Sequence, residues 1–283
     1  MGFKIIRKER FSDTTFLMEI YAPEIAKKRK AGQFLILRLH EKGERIPLTI
    51  ADANVKKGTI TIVVQEIGKT TKELGTFEEG DKILDIVGPL GNPTHIEKWG
   101  TVVCVGGGLG IAPLYPITET LKNAGNYVIS ILGARTKSLL FWEDRFKKIS
   151  HKVIIATDDG SYGIKGVVTL PLENILKSKK IDYIYCVGPV IMMKFVTITA
   201  KKYNVPIIVS LNPIMVDGTG MCGCCRVTIG DETKFACVDG PEFDGYKVNF
   251  DELIKRLNYY KSEEKLALER FEKKHKCRCE GKK

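Results

Sequence analysis

The first third of the chain alternates short runs of hydrophobic residues with polar turns. Runs of strand length cover residues 33–39, 59–64 and 82–87. Short strands at this spacing predict a small antiparallel barrel. The segment 88–93, which is rich in glycine and proline, interrupts the pattern, and we therefore place the barrel within residues 1–97.

From residue 98 onward, strand-length hydrophobic runs alternate with helix-length segments. The five runs are residues 101–105, 127–132, 152–156, 183–187 and 206–211. Helix-length segments, such as 113–123 and 189–201, lie between them. This alternation predicts a doubly wound α/β domain over residues 98–211, with a parallel sheet that is covered on both faces.

The last quarter of the chain lacks this rhythm. Residues 212–248 are rich in Gly and Cys and show little periodicity, so we treat them as a separate module. Residues 250–271 carry apolar side chains at helical spacing, which predicts a closing helix and a basic tail over 249–283. That helix could dock a partner or pack on its own chain, and the pattern favours neither.

Length and composition are those of an ordinary folded protein. The chain has 283 residues, of which 43% are hydrophobic and 28% charged, and this size suits two domains with an appendage. No apolar run reaches the roughly 18–20 residues of a membrane helix, and residues 1–11 lack the apolar segment of a secretory signal. We therefore expect a cytoplasmic protein with no membrane partner.

The formal net charge of +11 comes mostly from the two ends of the chain. Residues 1–30 hold eight Lys or Arg against four Asp or Glu, and residues 272–283 hold six against two. The body between them is nearly balanced. This distribution favours solvated basic ends over a nucleic-acid surface, so we predict no nucleic-acid partner.

Four of the eight cysteines are crowded into sixteen residues. They are Cys222, Cys224, Cys225 and Cys237. In a cytoplasmic protein such crowding indicates a metal or cluster site more often than disulfides. The other four have simpler explanations. Cys104 and Cys186 lie in apolar runs and are expected to be buried in strands, whereas Cys277 and Cys279 form a mobile pair in the basic tail.

A glycine-rich segment, Gly106–Pro113, follows the first strand of the predicted α/β domain. Glycines let the backbone approach a pyrophosphate, and the start of the next helix offers free N–H groups to the anion. The segment departs from the dinucleotide fingerprint because Ile111 stands where the third glycine belongs. The second strand ends in Gly133-Ala134-Arg135 rather than in an acidic residue. A tight turn without a ligand is the alternative.

Two further strands end in polar or glycine residues. Thr157–Ser161 follow the third strand, and Gly188-Pro189 follow the fourth. The carboxyl ends of parallel strands share one edge of the sheet, and ligands bind at that edge in such domains. Three ends of this kind together predict a dinucleotide site.

Two segments of the predicted barrel carry groups that suit a second pyrophosphate. Arg45–Thr49 would present backbone and hydroxyl groups from an extended strand, and Gly68–Thr71 would present N–H groups and hydroxyls at a helix start. A plain strand followed by a capped helix explains the same residues, and chemistry alone favours that explanation.

The cysteine spacing is the strongest chemical signal. Two residues separate Cys222 from Cys225, and Cys237 follows after eleven more, which is typical of ferredoxin-like cluster ligands. A plant-type pattern has a further ligand five positions before the close pair, where this chain has Asp217. A carboxylate there would alter the cluster potential. Cys224 competes for the fourth place. The alternatives are structural zinc on the four cysteines and Asp217 as a turn residue, but the spacing favours iron–sulfur.

A chain that binds both a nicotinamide and an iron–sulfur cluster needs a carrier between two-electron and one-electron chemistry, and flavin is the usual one. With these motifs, residues 1–245 resemble the ferredoxin reductase superfamily, which joins a flavin barrel, a nicotinamide domain with Gly-Gly-Gly-x-Gly-x-Ala-Pro and a C-terminal [2Fe–2S] module.

The nearer resemblance is to two groups of electron-transfer subunits. One is the small (alpha) subunit of NADH-dependent reduced ferredoxin:NADP oxidoreductase, also called sulfide dehydrogenase subunit beta, which uses one Asp and three Cys. The run 212–222 looks like that group. The other is the electron-transfer subunit of dihydroorotate dehydrogenase, which normally has four cysteines, and Asp217 departs from it.

The resemblance implies ligands for each cofactor. FAD would be held by Pro47, Leu48, Thr49, Val64, Gln65, Glu66, Gly68, Thr70 and Thr71. NAD(H) would lie over Gly106, Gly107, Gly108 and Gly110, with Arg135, Asp158, Gly188 and Pro189 near it. The [2Fe–2S] cluster would be held by Asp217, Cys222, Cys225 and Cys237. Many relatives have an Arg three positions before the Ser/Thr of the flavin motif. Here Ile46 stands at that position and Arg45 one place earlier, so the motif does not assign Arg45 to a flavin phosphate.

The resemblance also implies a function. Hydride would pass between NAD(H) and FAD, and single electrons would pass through the cluster to a larger flavin and iron–sulfur subunit, through which ferredoxin is reached. No nucleophile or acid–base pair is needed, so we name no catalytic residue. Three alternatives remain: a subunit for dihydroorotate oxidation, a self-sufficient NADH diaphorase and a zinc-dependent nucleic-acid binder. Arg135 could favour the 2′-phosphate of NADP, whereas Asp158 and Asp159 could oppose it.

Overall fold

Eight strands form the N-terminal part of the molecule. A computed structural model describes residues 2–280, with side chains up to residue 273. The strands are β1 Phe3–Arg10, β2 Thr15–Tyr21, β3 Phe34–Arg38, β4 Arg45–Thr49, β5 Asp52–Asn54, β6 Thr59–Gln65, β7 Lys82–Ile83 and β8 Asp85–Leu90. Helices α1 Pro23–Lys28 and α2 Lys69–Gly75 interrupt them. The strands pair antiparallel in two sheets, β5-β6-β2-β1-β7 and β4-β3-β8, which enclose one core as the predicted barrel does.

Strand β3 has two buried faces that point into different cores. Leu35 and Leu37 pack inside the barrel. Phe34 and Ile36 pack outside it, in a core shared with the rest of the molecule. The period of two along a strand separates these two sets, and both faces are covered. The three-stranded sheet is therefore the wall between the barrel and the C-terminal two thirds of the chain.

The second part is a seven-stranded sheet with helices on both faces. Its strands are β9 Thr101–Gly107, β10 Tyr127–Ala134, β11 Lys152–Thr157, β12 Ile164–Lys165, β13 Tyr183–Val187, β14 Ile207–Ser210 and, after the hairpin strands β15 Arg226–Ile229 and β16 Glu232–Phe235, β17 Glu242–Asp244. The helices are α3 Ile111–Asn123, α4 Glu143–Ile149, α5 Thr169–Ser178 and α6 Val190–Lys202. All neighbours are parallel except β17, which runs antiparallel to β14.

Alternating residues of β9 fill the two layers of this domain. Val102 and Cys104 pack against α3 and α4, whereas Val103 and Val105 pack against α5 and α6. Cys104 and the corresponding Cys186 of β13 are fully buried, as predicted for strand cysteines. In the strand order β12-β11-β10-β9-β13-β14, the chain first adds strands on one side of β9, from β10 to β12, and then on its other side, from β13 to β14. This switch opens a crevice at the carboxyl ends of β9 and β13.

The cysteine-rich residues are not a separate appendage. Strand β17 extends the α/β sheet, and the amide of Asn92, in the linker after the barrel, donates to the carbonyl oxygen of Gly240 at 2.7 Å. Cys225 and Cys237 are buried in the same core as Phe34 and Ile36. The module therefore packs against the barrel wall and the edge of the sheet at once.

The chain closes on two helices, so the expectation of one helix over 250–271 is wrong. Helix α7 spans Phe250–Arg256, and helix α8 spans Lys261–Glu280 after a turn. Helix α8 returns to the barrel, where Glu272 pairs with Lys72 of α2 at 2.5 Å. The side chains of Cys277 and Cys279 lie outside the described residues. Within the described residues, no helix has both the length and the apolar character needed to cross a bilayer.

Candidate cofactor sites

The glycine-rich segment lies at the crevice between β9 and β13. Gly106 and Gly107 end β9, and a short 3-10 turn over 108–110 leads into α3. A Cβ on Gly110 would overlap the carbonyl oxygen of Val187, so only glycine lets the turn lie this close to β13. The start of a 13-residue helix thereby faces the crevice, where its free N–H groups suit an anion.

The other predicted nicotinamide residues line the same edge. Arg135 and Asp158 are exposed at the ends of β10 and β11, and the amide of Asp159 donates to the carbonyl oxygen of Arg135 at 3.2 Å. Gly188 and Pro189 follow β13 directly. The structure thus brings every predicted residue of this set to one rim.

Sequence reasoning missed several groups at this rim. A cavity of about 250 Å³ lies beside the ends of β10 and β11. It is lined by Lys137, Leu140, Phe141, Trp142, Glu143, Asp144, Arg145 and Tyr162. The Arg145 guanidinium stacks on the Tyr115 and Trp142 rings, 4.1 and 4.3 Å from their centres, and donates to Asp52 of the barrel. Met192 lies against Gly107 and Gly188 in the crevice itself. No local motif marks these residues, because they meet only through the fold.

The predicted flavin strand β4 is an edge strand that pairs only with β3. Its outer backbone groups are therefore available to a ligand. Leu48 pairs with Leu35 and packs against the barrel core, so its backbone rather than its side chain is available. Pro47 and Thr49 lie on the opposite face of the sheet, the face of Phe34 and Ile36 outside the barrel.

Residues at the end of β6 also offer backbone rather than side chains. Val64 is fully buried in the barrel core. The carboxylate of Glu66 accepts from Arg10 at 2.7 Å, which turns it away from solvent. Gln65 is partly exposed, so both its backbone and its side chain are available to a ligand.

The start of α2 uses its two threonine hydroxyls internally. The Thr71 hydroxyl accepts from the amides of Ile67 and Gly68 at 3.0 Å, and the Thr70 hydroxyl donates to Glu44. These hydrogen bonds are those of a capped helix, which was the alternative to a pyrophosphate site in the sequence. Around Gly68, however, no atom apart from its own chain neighbours lies within 4 Å of the position that a Cβ would take. The space in front of the helix start is open.

The candidate cluster ligands lie as two pairs. Three of them stand in the loop 217–225, called the cluster loop below, and the fourth, Cys237, follows β16. The carboxylate of Asp217 lies beside the thiol of Cys222, and the sulfur atoms of Cys225 and Cys237 are 3.1 Å apart. The Cys224 thiol lies beside Cys222, so it remains a competitor of Asp217. Among the described residues, no three His, Cys, Asp or Glu side chains converge on a single metal position. Two pairs suit a two-iron cluster better than mononuclear zinc, because each iron takes two protein ligands.

Backbone groups lie near the sulfur atoms of the candidate ligands. The amide of Cys237 donates to the sulfur of Cys225 at 3.5 Å. The backbone groups of Asp217 and Cys224 lower the pKa of Cys222. Burial nevertheless raises the pKa of Cys237 to about 12. Backbone amides near sulfur favour thiolates and hydrogen-bond cluster sulfurs. The residues present therefore fit an iron–sulfur cluster.

Asp217 has a structural role in the loop as it stands. Its carboxylate accepts from the amides of Thr219 and Cys222 at 2.9 and 2.8 Å. The Thr219 amide is the main cause that lowers the pKa of Asp217, and the Arg45 guanidinium contributes further. The carboxylate is thus held ionised and next to Cys222, as a ligand would need to be.

Comparison with known proteins agrees with this architecture. Residues 212–249 match the iron–sulfur cluster binding domain of dihydroorotate dehydrogenase B. The chain is 55% identical over 268 residues, 95% of either chain, to a homologue of the dihydroorotate dehydrogenase B (NAD(+)) electron transfer subunit from Thermotoga maritima. It is 34% identical to that subunit from Desulforamulus reducens, over 87% of this chain and 96% of the relative.

A solved structure covers almost the whole chain. A chain of NADH-dependent reduced ferredoxin–NADP oxidoreductase superposes with a TM-score of 0.91 and 53% identity, over 96% of this chain and 98% of the other. The predicted fold class is confirmed, and the predicted electron-transfer role with FAD, NAD(H) and a [2Fe–2S] cluster agrees with these relatives. The chain belongs to the family of dihydroorotate dehydrogenase B electron-transfer subunits and their homologues.

Proposed function

We propose that this chain is the NAD(H)-linked flavin iron–sulfur subunit of an NADH-dependent reduced ferredoxin:NADP oxidoreductase. One observation carries the proposal: the candidate flavin strand β4 belongs to the barrel wall on which the cluster loop packs. Ile36, the neighbour of Pro47 on β3, shares a core with Cys225 and Cys237. Close packing of this kind suits electron transfer between the two sites.

The chain contributes binding and orientation. Bound FAD supplies the conversion between the two-electron chemistry of a nicotinamide and the one-electron chemistry of a cluster. The edge of β4, the end of β6 and the start of α2 would hold it. The crevice between β9 and β13 would hold the dinucleotide through Gly106–Gly110 and Gly188-Pro189, with Arg135 and Asp158 beside it.

The cluster ligands in this proposal are Asp217, Cys222, Cys225 and Cys237. The larger partner takes up the electrons, and ferredoxin is reached through it. The similarity over nearly the full length of the oxidoreductase chain supports this assembly over a self-sufficient diaphorase.

A second function, electron transfer for NAD-linked dihydroorotate oxidation, is favoured by the names of the sequence relatives. The same cofactors serve both functions, so the partner decides. A complex that oxidises dihydroorotate, and does not reduce NADP with electrons from NADH and reduced ferredoxin, would favour the second function.

Purification of the complex with its native partner tests the proposal. We expect a flavin spectrum, two iron and two sulfide per chain beyond those that the partner subunit itself carries, and bleaching of the flavin by NADH without oxygen. Cys225→Ser should abolish the electron paramagnetic resonance (EPR) signal of the cluster. Cys224→Ser, a matched change one residue away, should retain it. Loss of the signal in Cys224→Ser and its retention in Asp217→Ala would move the fourth ligand to Cys224. A complex without flavin after reconstitution would refute the function.

A further inference from the structure

Arg45 occupies a position that the proposed function does not explain. It is the first residue of β4, directly before the candidate flavin residues, and pairs in register with Arg38 of β3. Cross-strand partners share a face, so Arg45 lies on the same face as Phe34, Ile36 and Arg38. That is the face that leaves the barrel and meets the cysteine-rich module.

The cluster loop packs directly on this face. A Cβ at Gly218 would lie 2.8 Å from Ile36 and from Leu90, so the loop rests on the wall without room for a side chain. Gly218 follows Asp217, and the Arg45 guanidinium is close enough for its charge to act on the Asp217 carboxylate. The pairing of β3 with β4 therefore places the positive charge of Arg45 on the side of the cluster loop that faces the barrel.

Arg45 makes no direct ion pair among the described side chains, and Asp217 is the carboxylate on which its charge acts. Its Nε is buried and makes no hydrogen bond within the described residues. Arg38 provides the contrast, because its guanidinium donates to Asp85 from both Nε and Nη2 and lies 3.8 Å from Glu41. The two arginines are cross-strand partners on one face, but only Arg38 is in direct contact with a carboxylate.

Other arginines near the loop act differently. Arg256 of α7 donates to the carbonyl oxygen of Cys224 at 3.2 Å, and Arg226 donates to that of Gly223 at 3.3 Å. Both hold the loop backbone from the side of the module. Arg45 approaches from the barrel, between the candidate flavin strand and Asp217.

We propose that Arg45 sets the reduction potential of the cluster and favours its reduction by bound flavin. The proposal rests on the proposed function, since it needs a cluster at Asp217. Reduction adds one negative charge to the cluster, and a guanidinium nearby stabilises the more negative state. A carboxylate ligand has the opposite effect, so Arg45 offsets the charge that Asp217 brings.

Redox titration of the complex, followed by the EPR signal of the cluster, tests this role. At the potential where half of the wild-type cluster is reduced, we expect the ratio of reduced to oxidised cluster in Arg45→Gln to fall about tenfold, which is about 59 mV for one electron. Arg45→Lys keeps the charge and should stay near wild type. Arg38→Gln removes the same group from the cross-strand partner and should leave the ratio unchanged.

Several outcomes would overturn the proposal. An unchanged ratio in Arg45→Gln with a full cluster would do so, and so would an equal shift in Arg38→Gln. Loss of FAD from Arg45→Gln with an unshifted cluster would make Arg45 a flavin ligand instead. If Arg45→Gln does not assemble, Arg45→Met replaces it, and a full cluster with an unshifted potential in that variant would refute the role.

These outcomes are separable from a failure of the proposed function. A wild-type complex without a cluster signal would count against the function. A wild-type complex with a full cluster, whose potential does not respond to Arg45, would count only against the inference.

Discussion

Glu242 joins the three parts of the molecule through one carboxyl group. It begins β17 at the edge of the α/β sheet and accepts at 2.6 Å from the Thr94 hydroxyl, which lies in the linker after the barrel. Gly32 of the barrel packs against both side chains. Burial raises the pKa of Glu242 to about 7 from its ordinary 4.5, and the hydrogen bond from Thr94 offsets this only in part.

The raised pKa makes stability depend on pH in a defined direction. Below pH 4.5 the carboxyl is protonated in both the folded and the unfolded chain, so its ionisation does not lower the free energy of unfolding. Between pH 4.5 and 7 the unfolded chain ionises while the folded chain keeps its proton, so the free energy of unfolding falls as the pH rises. At 1.36 kcal/mol per pKa unit, the loss between pH 5 and pH 8 is at most about 3 kcal/mol.

Glu242→Gln keeps a group that can accept from Thr94 and removes the titration. We expect the melting temperature of the variant, relative to wild type, to rise by about 5 °C between pH 5 and pH 8, at about 2 °C per kcal/mol. Differential scanning calorimetry of the cofactor-loaded chain measures this. Glu97→Gln, an exposed carboxyl in the same linker, controls for net charge. A difference between Glu242→Gln and wild type that does not change with pH would refute the reasoning.

Further variants test the dinucleotide sites and the contact between the domains. Gly110→Ala should destabilise the fold by about 1–3 kcal/mol, measured by thermal melting, because the new methyl group meets the backbone at Val187. Gly68 has an extended φ of −106° and open space around its Cβ position. The melting temperature of Gly68→Ala should therefore stay within about 1 °C of wild type while its bound flavin absorbance falls. Full flavin content in this variant would argue against FAD at α2. Arg145→Ala should cost about 1–2 kcal/mol through its lost bond to Asp52, and a double-mutant cycle with Asp52→Ala isolates that bond.

The parallel strands could be predicted because burial on both faces leaves an unbroken hydrophobic run. Six of the seven residues of β9 are buried, down to the glycines that end it, and the first, Thr101, is partly exposed. Strand β1 shows the opposite case. Only Ile5 is buried among its eight residues, so its sequence carries charges instead of a periodic signal, and pairing with β2 and β7 makes it a strand.

The closing helix shows the limit of periodicity. Apolar residues keep helical spacing through Leu257 and Tyr260, yet the helix is broken there by a turn. The Asn258 side chain donates to the carbonyl oxygen of Ile254, a local bond that competes with helix continuation. The spacing of hydrophobic residues carries no information about such a hydrogen bond, so it does not predict the break in the helix.

The residues of the candidate sites also differ in whether local sequence reveals them. Glycines and cysteines are visible in the sequence because their spacing reflects local backbone geometry. The contact of Arg145 with Asp52 joins residues 93 positions apart, and the position of Arg45 depends on which face of β3 the barrel buries. Neither follows from local sequence, since both are set by tertiary packing.

The packing also explains why the cluster module cannot sit on a free linker. Phe34 and Ile36 of the barrel wall, Cys225 and Cys237 of the module and Leu253 of α7 belong to one core with the α/β sheet. Moving the module would expose apolar surface on three sides at about 25 cal/mol per Å², and it would break the pairing of β17 with β14. The separation of the candidate flavin strand β4 and the cluster loop is therefore fixed by folding itself. A charge on the shared wall, such as that of Arg45, is held at a constant distance from the loop, as its proposed effect on the cluster potential requires.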